Sequence, residues 1–129
     1  MSISDPRRLV LVVDDDEVVR KVVRMVLEAD DFEVVEATNG PDALASVASA
    51  HPPLMVLDVM MPGMDGIEVL RQLPDGVKVL MLTARDDAAT EAASRAAGAA
   101  DFLAKPFSSV ELLDHVERLV TADRAKAGT

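Results

Sequence analysis

The chain has 129 residues, half of them apolar, which is enough for one domain around a single hydrophobic core. Its 23 acidic and 13 basic side chains give a net charge of −10, which argues against sequence-independent nucleic-acid binding and against a polybasic membrane anchor. The absence of cysteine excludes disulfide scaffolds, thiol catalysis and cysteine–zinc sites, while only two histidines and three aromatic residues, all Phe, count against multi-histidine metal centres and ring-stacking cofactor sites.

Apolar runs and helical patterns alternate along the chain. Leu9-Val10-Leu11-Val12-Val13 is a continuous apolar run with β-branched residues, suited to a strand buried on both faces, and it stops at Asp14-Asp15-Asp16. Residues 16–29 carry Val19, Val22, Val23, Val26 and Leu27 at helical spacing, with Asp16 placed to cap the helix. A short strand over 33–37 leads through Thr38-Asn39-Gly40-Pro41 into a helix that His51-Pro52-Pro53 ends near residue 50. Leu54-Met55-Val56-Leu57 is the third strand and stops at Asp58. Residues 59–65 read as a loop, with Asp65 and Gly66 forming the turn and cap before a short helix to residue 73. Residues 77–82 are the fourth strand, ending at Thr83. An alanine-rich helix spans 86–97 and Gly98 closes it. Residues 100–104 are the fifth strand, ending at Lys105-Pro106, and Ser108 or Ser109 caps a last helix carrying Val110, Leu113, Val116, Leu119 and Val120.

Strict alternation predicts an α/β fold: a five-stranded parallel sheet with right-handed crossovers and helices on both faces. The expected organisation is an N-terminal extension over 1–8, one domain over 9–121 and a polar tail over 122–129 that frays. No run approaches the ~18 apolar residues of a membrane span, and the first eight residues lack a signal-peptide core, so a cytoplasmic protein without membrane contact is expected.

Ligands of open α/β sheets bind beyond the carboxyl ends of the strands. There the chain places Asp14, Asp15 and Asp16 after the first strand, Asp58 after the third, Thr83 after the fourth and Lys105 after the fifth. In the doubly wound order 2-1-3-4-5 these four strands are neighbours, so the groups converge. Asp14, Asp15 and Asp58 would repel one another without a compensating cation, and hard carboxylate oxygens select Mg²⁺, or Mn²⁺, over zinc. A carboxylate, a divalent ion, a hydroxyl and an ammonium group around one point can stabilise a phosphoryl group in transfer. Asp58, on the central strand, is the nucleophile candidate.

Together, Val12-Val13-Asp14-Asp15-Asp16-Glu17, the Asp58–Gly66 segment, Leu82-Thr83-Ala84, Gly98-Ala99-Ala100-Asp101-Phe102-Leu103 and Lys105-Pro106-Phe107 resemble the receiver domain of two-component response regulators, over roughly residues 10–120. The strand order 2-1-3-4-5, a flavodoxin-like doubly wound sheet, comes with that resemblance. It implies that Asp58 accepts a phosphoryl group from the phosphohistidine of a sensor histidine kinase or a histidine phosphotransfer protein. It implies Mg²⁺ held by Asp15 and Asp58, by Asp14 through water and by the main-chain carbonyl of Met60. Thr83 and Lys105 would contact the phosphoryl oxygens, and the Lys105–Pro106 bond is expected cis. Phe102 stands at the aromatic switch position, without the hydroxyl of the common Tyr, and its ring would swing inward as Thr83 moves toward the phosphoryl group. Met60 and Arg85 stand where the family tunes phosphoryl lifetime; an apolar Met60 implies slow self-hydrolysis. The readout would be the face of helix four, strand five and helix five, through a partner or through phosphorylation-dependent homodimerisation. No turnover enzyme on an external substrate is expected, and no direct nucleic-acid contact.

Other readings carry different signatures. A Mg²⁺-dependent aspartyl phosphohydrolase would place a second acid two residues after its nucleophile, where this chain has Met60, and would need a cap domain. A flavodoxin-like cofactor carrier would need a hydroxyl-rich phosphate loop where three aspartates stand. A pseudo-receiver that only binds partners would have lost part of the chemical set. Arg20 and Arg24, one turn apart, fit either a solvated face or a kinase interface; His51 and His115 are expected at the surface.

Overall fold

A computed structural model describes residues 8–84 and 87–127, with side chains to residue 121. The described elements run β1 (Leu9–Val13), α1 (Glu17–Ala29), β2 (Glu33–Ala37), α2 (Gly40–Ala50), β3 (Leu54–Asp58), α3 (Gly66–Arg71), β4 (Lys78–Ala84), α4 (Ala88–Ala96), β5 (Asp101–Lys105) and α5 (Ser109–Ala127). All strands are parallel, in the order β2-β1-β3-β4-β5.

Alternation along each strand sorts the core into two layers. Val10, Val12, Leu54, Val56, Leu80, Leu82 and Leu103 face α1 and α5, where Val23, Leu27, Leu112 and Val116 meet them. Leu11, Val13, Met55, Leu57, Val79 and Met81 face the other way, onto Ala43 and Val47 of α2 and Val69 and Leu70 of α3. Every residue of β3 is buried, as suits a central strand covered on both faces. Each Leu or Val buried in this way contributes about 1.5–3 kcal/mol.

The helix starts are set by short polar side chains. Asp16 accepts from the N–H groups of Val18 and Val19, Asn39 from Asp42, Asp65 from Glu68 and Asp87 from Thr90. Ser108, of the two serines considered, caps α5: its Oγ accepts from the Glu111 N–H, and the Glu111 carboxylate accepts from the Ser108 N–H.

Three expectations are corrected. α5 does not stop near Val120 but continues to Ala127. Residues 121–127 lack apolar anchors yet contain no helix breaker before Gly128, so backbone propensity carries the helix on. α3 ends at Arg71, short of residue 73. His115 is not a free surface side chain: it is half-buried, with Nδ1 2.6 Å from Asp101 Oδ2, because α5 packs over the start of β5. His51 is exposed as expected and takes a left-handed backbone at the end of α2. Arg85, and residue 86 where the fourth helix was expected to begin, lie outside the described residues, as do residues 1–7 of the N-terminal extension.

Candidate functional site

Strand parity decides which groups meet. Asp58 continues the Leu54–Val56 face of β3 and Lys105 continues the Leu103 face of β5, both toward α1 and α5. There Lys105 Nζ lies 3.1 Å from Asp14 Oδ2 and 3.2 Å from Asp58 Oδ1, bridging two strand ends 91 and 47 residues away in the chain. Asp14 is fully buried and Asp58 is 4 % exposed, whereas Asp15 is open to solvent. One carboxylate oxygen from each of Asp14, Asp15 and Asp58 falls within a span of 4.8 Å.

Two backbone devices hold the acids in place. The Asp16 N–H donates to Asp14 Oδ1 at 2.9 Å, and the Met60 N–H approaches Asp58 Oδ1 at 3.4 Å. Behind β3, Gly66 comes so close that a Cβ there would lie 2.5 Å from the Asp58 carbonyl oxygen and 2.9 Å from Val59 Cα. Only glycine lets α3 seat directly against the end of the strand carrying Asp58; its N–H donates to the Val59 carbonyl at 3.0 Å.

The electrostatics follow from this crowding. Burial, and then the neighbouring Asp14 charge, push the Asp58 carboxyl up to about 6; Lys105 and the Met60 N–H offset only part of that. Burial alone would lower the Lys105 ammonium, but Asp58 and Asp14 outweigh it and hold the group above its usual range. One lysine thus faces two buried carboxylates, with a third acid at the rim. This oxygen-only donor set fits a hard divalent cation such as Mg²⁺.

Thr83 behaves differently from the other predicted site residues. It is buried at the end of β4, but its parity turns it to the opposite sheet face, with Met81, and its register partner is Ala104. It lines an open groove shared with Phe102 on the α4 side. Met60 is 72 % exposed at the mouth of the site. The Lys105–Pro106 bond is cis, and Pro106 and Phe107 line a second groove with Val18, Val19, Val22 and Lys105.

One positioning residue is missed by sequence reasoning. Arg20 Nη1 donates to the Asp14 carbonyl at 2.8 Å, and its Nε to Glu36 Oε1 at 3.1 Å. Arg24 pairs with the same Glu36 carboxylate, which holds that carboxyl below the usual range, while Glu36 and Glu28 raise the guanidinium. Arg20 therefore ties α1 and β2 to the turn bearing the acids. The i, i+4 spacing of Arg20 and Arg24 is visible in the sequence; that β2 delivers Glu36 between them is not.

Comparison with known proteins agrees with this geometry. A family model described as "Response regulator receiver domain" matches residues 10–117. The chain is 46% identical over 114 residues to the response regulator MprA of Mycobacterium avium (strain 104), covering 86% of this chain and 50% of the relative. The match to MprA of Mycobacterium tuberculosis (strain ATCC 25618 / H37Rv) has the same identity and coverage. The chain thus spans about half the length of the curated relatives it matches. Among solved structures, the response regulator signal receiver domain from Bermanella marisrubri superposes with a TM-score of 0.81 at 35% identity, over 88% of this chain and 98% of that one. The receiver domain of NtrX from Brucella abortus does so with 0.81 at 30% identity, over 87% and 98%.

Proposed function

The chain belongs to the response regulator receiver domain family of two-component systems, and from that premise we propose that it is a phosphorylation-controlled switch with Asp58 as phosphoacceptor. The observation that carries the proposal is the Lys105 ammonium held between the buried Asp14 and Asp58 carboxylates at the ends of adjacent strands. In the proposed step, an Asp58 oxygen attacks the phosphorus of a phosphohistidine and the P–N bond breaks. The imidazole leaves with the electron pair and is protonated from solvent, and Asp58 carries the phosphoryl group as a mixed anhydride. Lys105 supplies positive charge to the transferring oxygens, and Thr83, which faces the α4 side here, would add its hydroxyl on moving toward the phosphoryl group.

Asp15 and Asp58, Asp14 through water and the Met60 carbonyl would hold Mg²⁺. When bound, the ion would neutralise the crowded carboxylates and the phosphoryl oxygens. Arg20 holds the Asp14 carbonyl and so positions the acidic turn. The exposed apolar residues Val18, Val22 and Met25 of α1, beside the groove at Lys105, Pro106 and Phe107, offer a docking surface to the helical donor domain of a histidine kinase or phosphotransfer protein. The domain assists its own phosphorylation and is not a turnover enzyme; its output passes through the α4, β5 and α5 face.

Intact-mass spectrometry after incubation with Mg²⁺ and acetyl phosphate tests this reading. One added phosphoryl group is expected, absent without Mg²⁺ and absent in Asp58→Ala. No adduct, together with no binding of beryllium fluoride, would refute it.

A further inference from the structure

The groove behind Thr83 is bordered by a contact that the phosphoacceptor chemistry does not need. Met81 pairs with Phe102 and Thr83 with Ala104, so these four side chains share the sheet face covered by α4. Between Thr83 and Phe102 runs an open groove of about 380 Å³, whose walls include Ala84, Glu91 and Arg95. The Arg95 guanidinium carbon lies 4.6 Å from the centroid of the Phe102 ring, a distance at which the ring face attracts a cation. Glu91, one turn earlier, accepts from Arg95 Nη2 at 3.4 Å and orients the guanidinium.

α4 packs on α3 and β4 with few buried side chains. Its one fully buried residue is Ser94, and the Ser94 hydroxyl has no hydrogen-bond partner among the described residues. Burying an unpaired hydroxyl opposes docking rather than favouring it. The Arg95–Phe102 contact is therefore a substantial part of what joins α4 to β5.

We propose that Arg95 is a latch on Phe102: by stacking on the ring it keeps the ring out of the groove behind Thr83, and so sets how readily the Asp58 site takes a phosphoryl group. This rests on the phosphoacceptor reading. Arg95 touches neither Asp58 nor the phosphoryl group and is a positioning residue. The stack stabilises only the state in which the ring lies under the guanidinium. Where mimic binding needs the ring in the groove and the latched state predominates, removing the stack tightens that binding by up to the factor the stack contributes. An exposed cation–ring contact corresponds to a change of about two- to five-fold.

The test is the dissociation constant of beryllium fluoride, with Mg²⁺ present, followed by fluorine NMR on the wild type, Arg95→Met, Arg95→Lys, Phe102→Leu and the Arg95→Met/Phe102→Leu double variant. Met keeps the length and helix propensity of Arg without its charge, and Leu keeps an apolar side chain without a ring face. Arg95→Met is expected to bind about two- to five-fold more tightly, Arg95→Lys to stay near the wild type, and the effect of Arg95→Met to vanish on the Phe102→Leu background. A merely structural Arg95 would not produce that last result. An Arg95→Met affinity equal to or weaker than the wild type, or an equal gain on both backgrounds, would overturn the latch alone. A wild type that bound no mimic would overturn the phosphoacceptor reading and the latch with it.

Discussion

Neutralising Asp58 should stabilise the metal-free protein, although Asp58 sits at the centre of the site. Its carboxyl is raised from 3.8 to about 6 by burial and by Asp14, net of the help from Lys105. Ionising a group so shifted costs about 3 kcal/mol more in the folded chain than in the unfolded one. Between these two values the folded state binds the extra proton, so the contribution of Asp58 to stability is complete below pH 3.8 and is lost as pH rises through about 6. Asp58→Asn removes the ionisation but leaves Lys105 with Asp14 as its remaining charged partner in the site. The expected gain is therefore about 1–3 kcal/mol above pH 7, shrinking to about zero near pH 4. With no Trp in the chain, helix circular dichroism is the readout. Urea transitions in EDTA, run from pH 4 to pH 8 on both proteins, would measure the difference. Millimolar Mg²⁺ should stabilise the wild type more than the variant and narrow the gap. A destabilised variant, or a gain of the same size at every pH, would refute the reasoning.

Three further outcomes follow from the same geometry. Lys105→Met takes away the positive charge shared by Asp14 and Asp58, so acetyl-phosphate labelling at pH 7.5 should slow by about 10–100-fold in a mass-spectrometric time course; an unchanged rate would show that Lys105 is not part of the chemistry. Arg20→Gln frees the Asp14 carbonyl from its guanidinium donor, and calorimetry should record Mg²⁺ affinity weakened by about tenfold, whereas wild-type affinity would reduce Arg20 to a surface ion pair. Gly66→Ala drives a Cβ to 2.5 Å from the Asp58 carbonyl oxygen and should cost about 1–3 kcal/mol in urea unfolding; a neutral result would mean that α3 shifts freely away from β3.

By itself, the sequence determined the alternation of elements, the parallel sheet and the residues at the strand ends. Continuous apolar runs such as residues 9–13 can only be buried on both faces, and each run stops where its acid, threonine or lysine begins. Asp14, Asp15, Asp58, Thr83 and Lys105 were legible for that reason, and the helix caps at Asp16 and Asp65 from local hydrogen-bonding chemistry, while the choice of Ser108 over Ser109 came from the structure. Tertiary structure decided what meets across the sheet. Glu36 reaches Arg20 and Arg24 only because β2 pairs with β1, and Asp101 reaches His115 only because α5 lies over β5. Local periodicity carries no term for partners supplied by another element. It also gave no reason to extend α5 past its last apolar anchor, where backbone propensity alone continues the helix. Above all, packing separated the site into two faces, with Asp14, Asp58 and Lys105 on one and Thr83, Phe102 and Arg95 on the other. A period of two assigns each side chain a face, but only the stacked helices determine what that face touches.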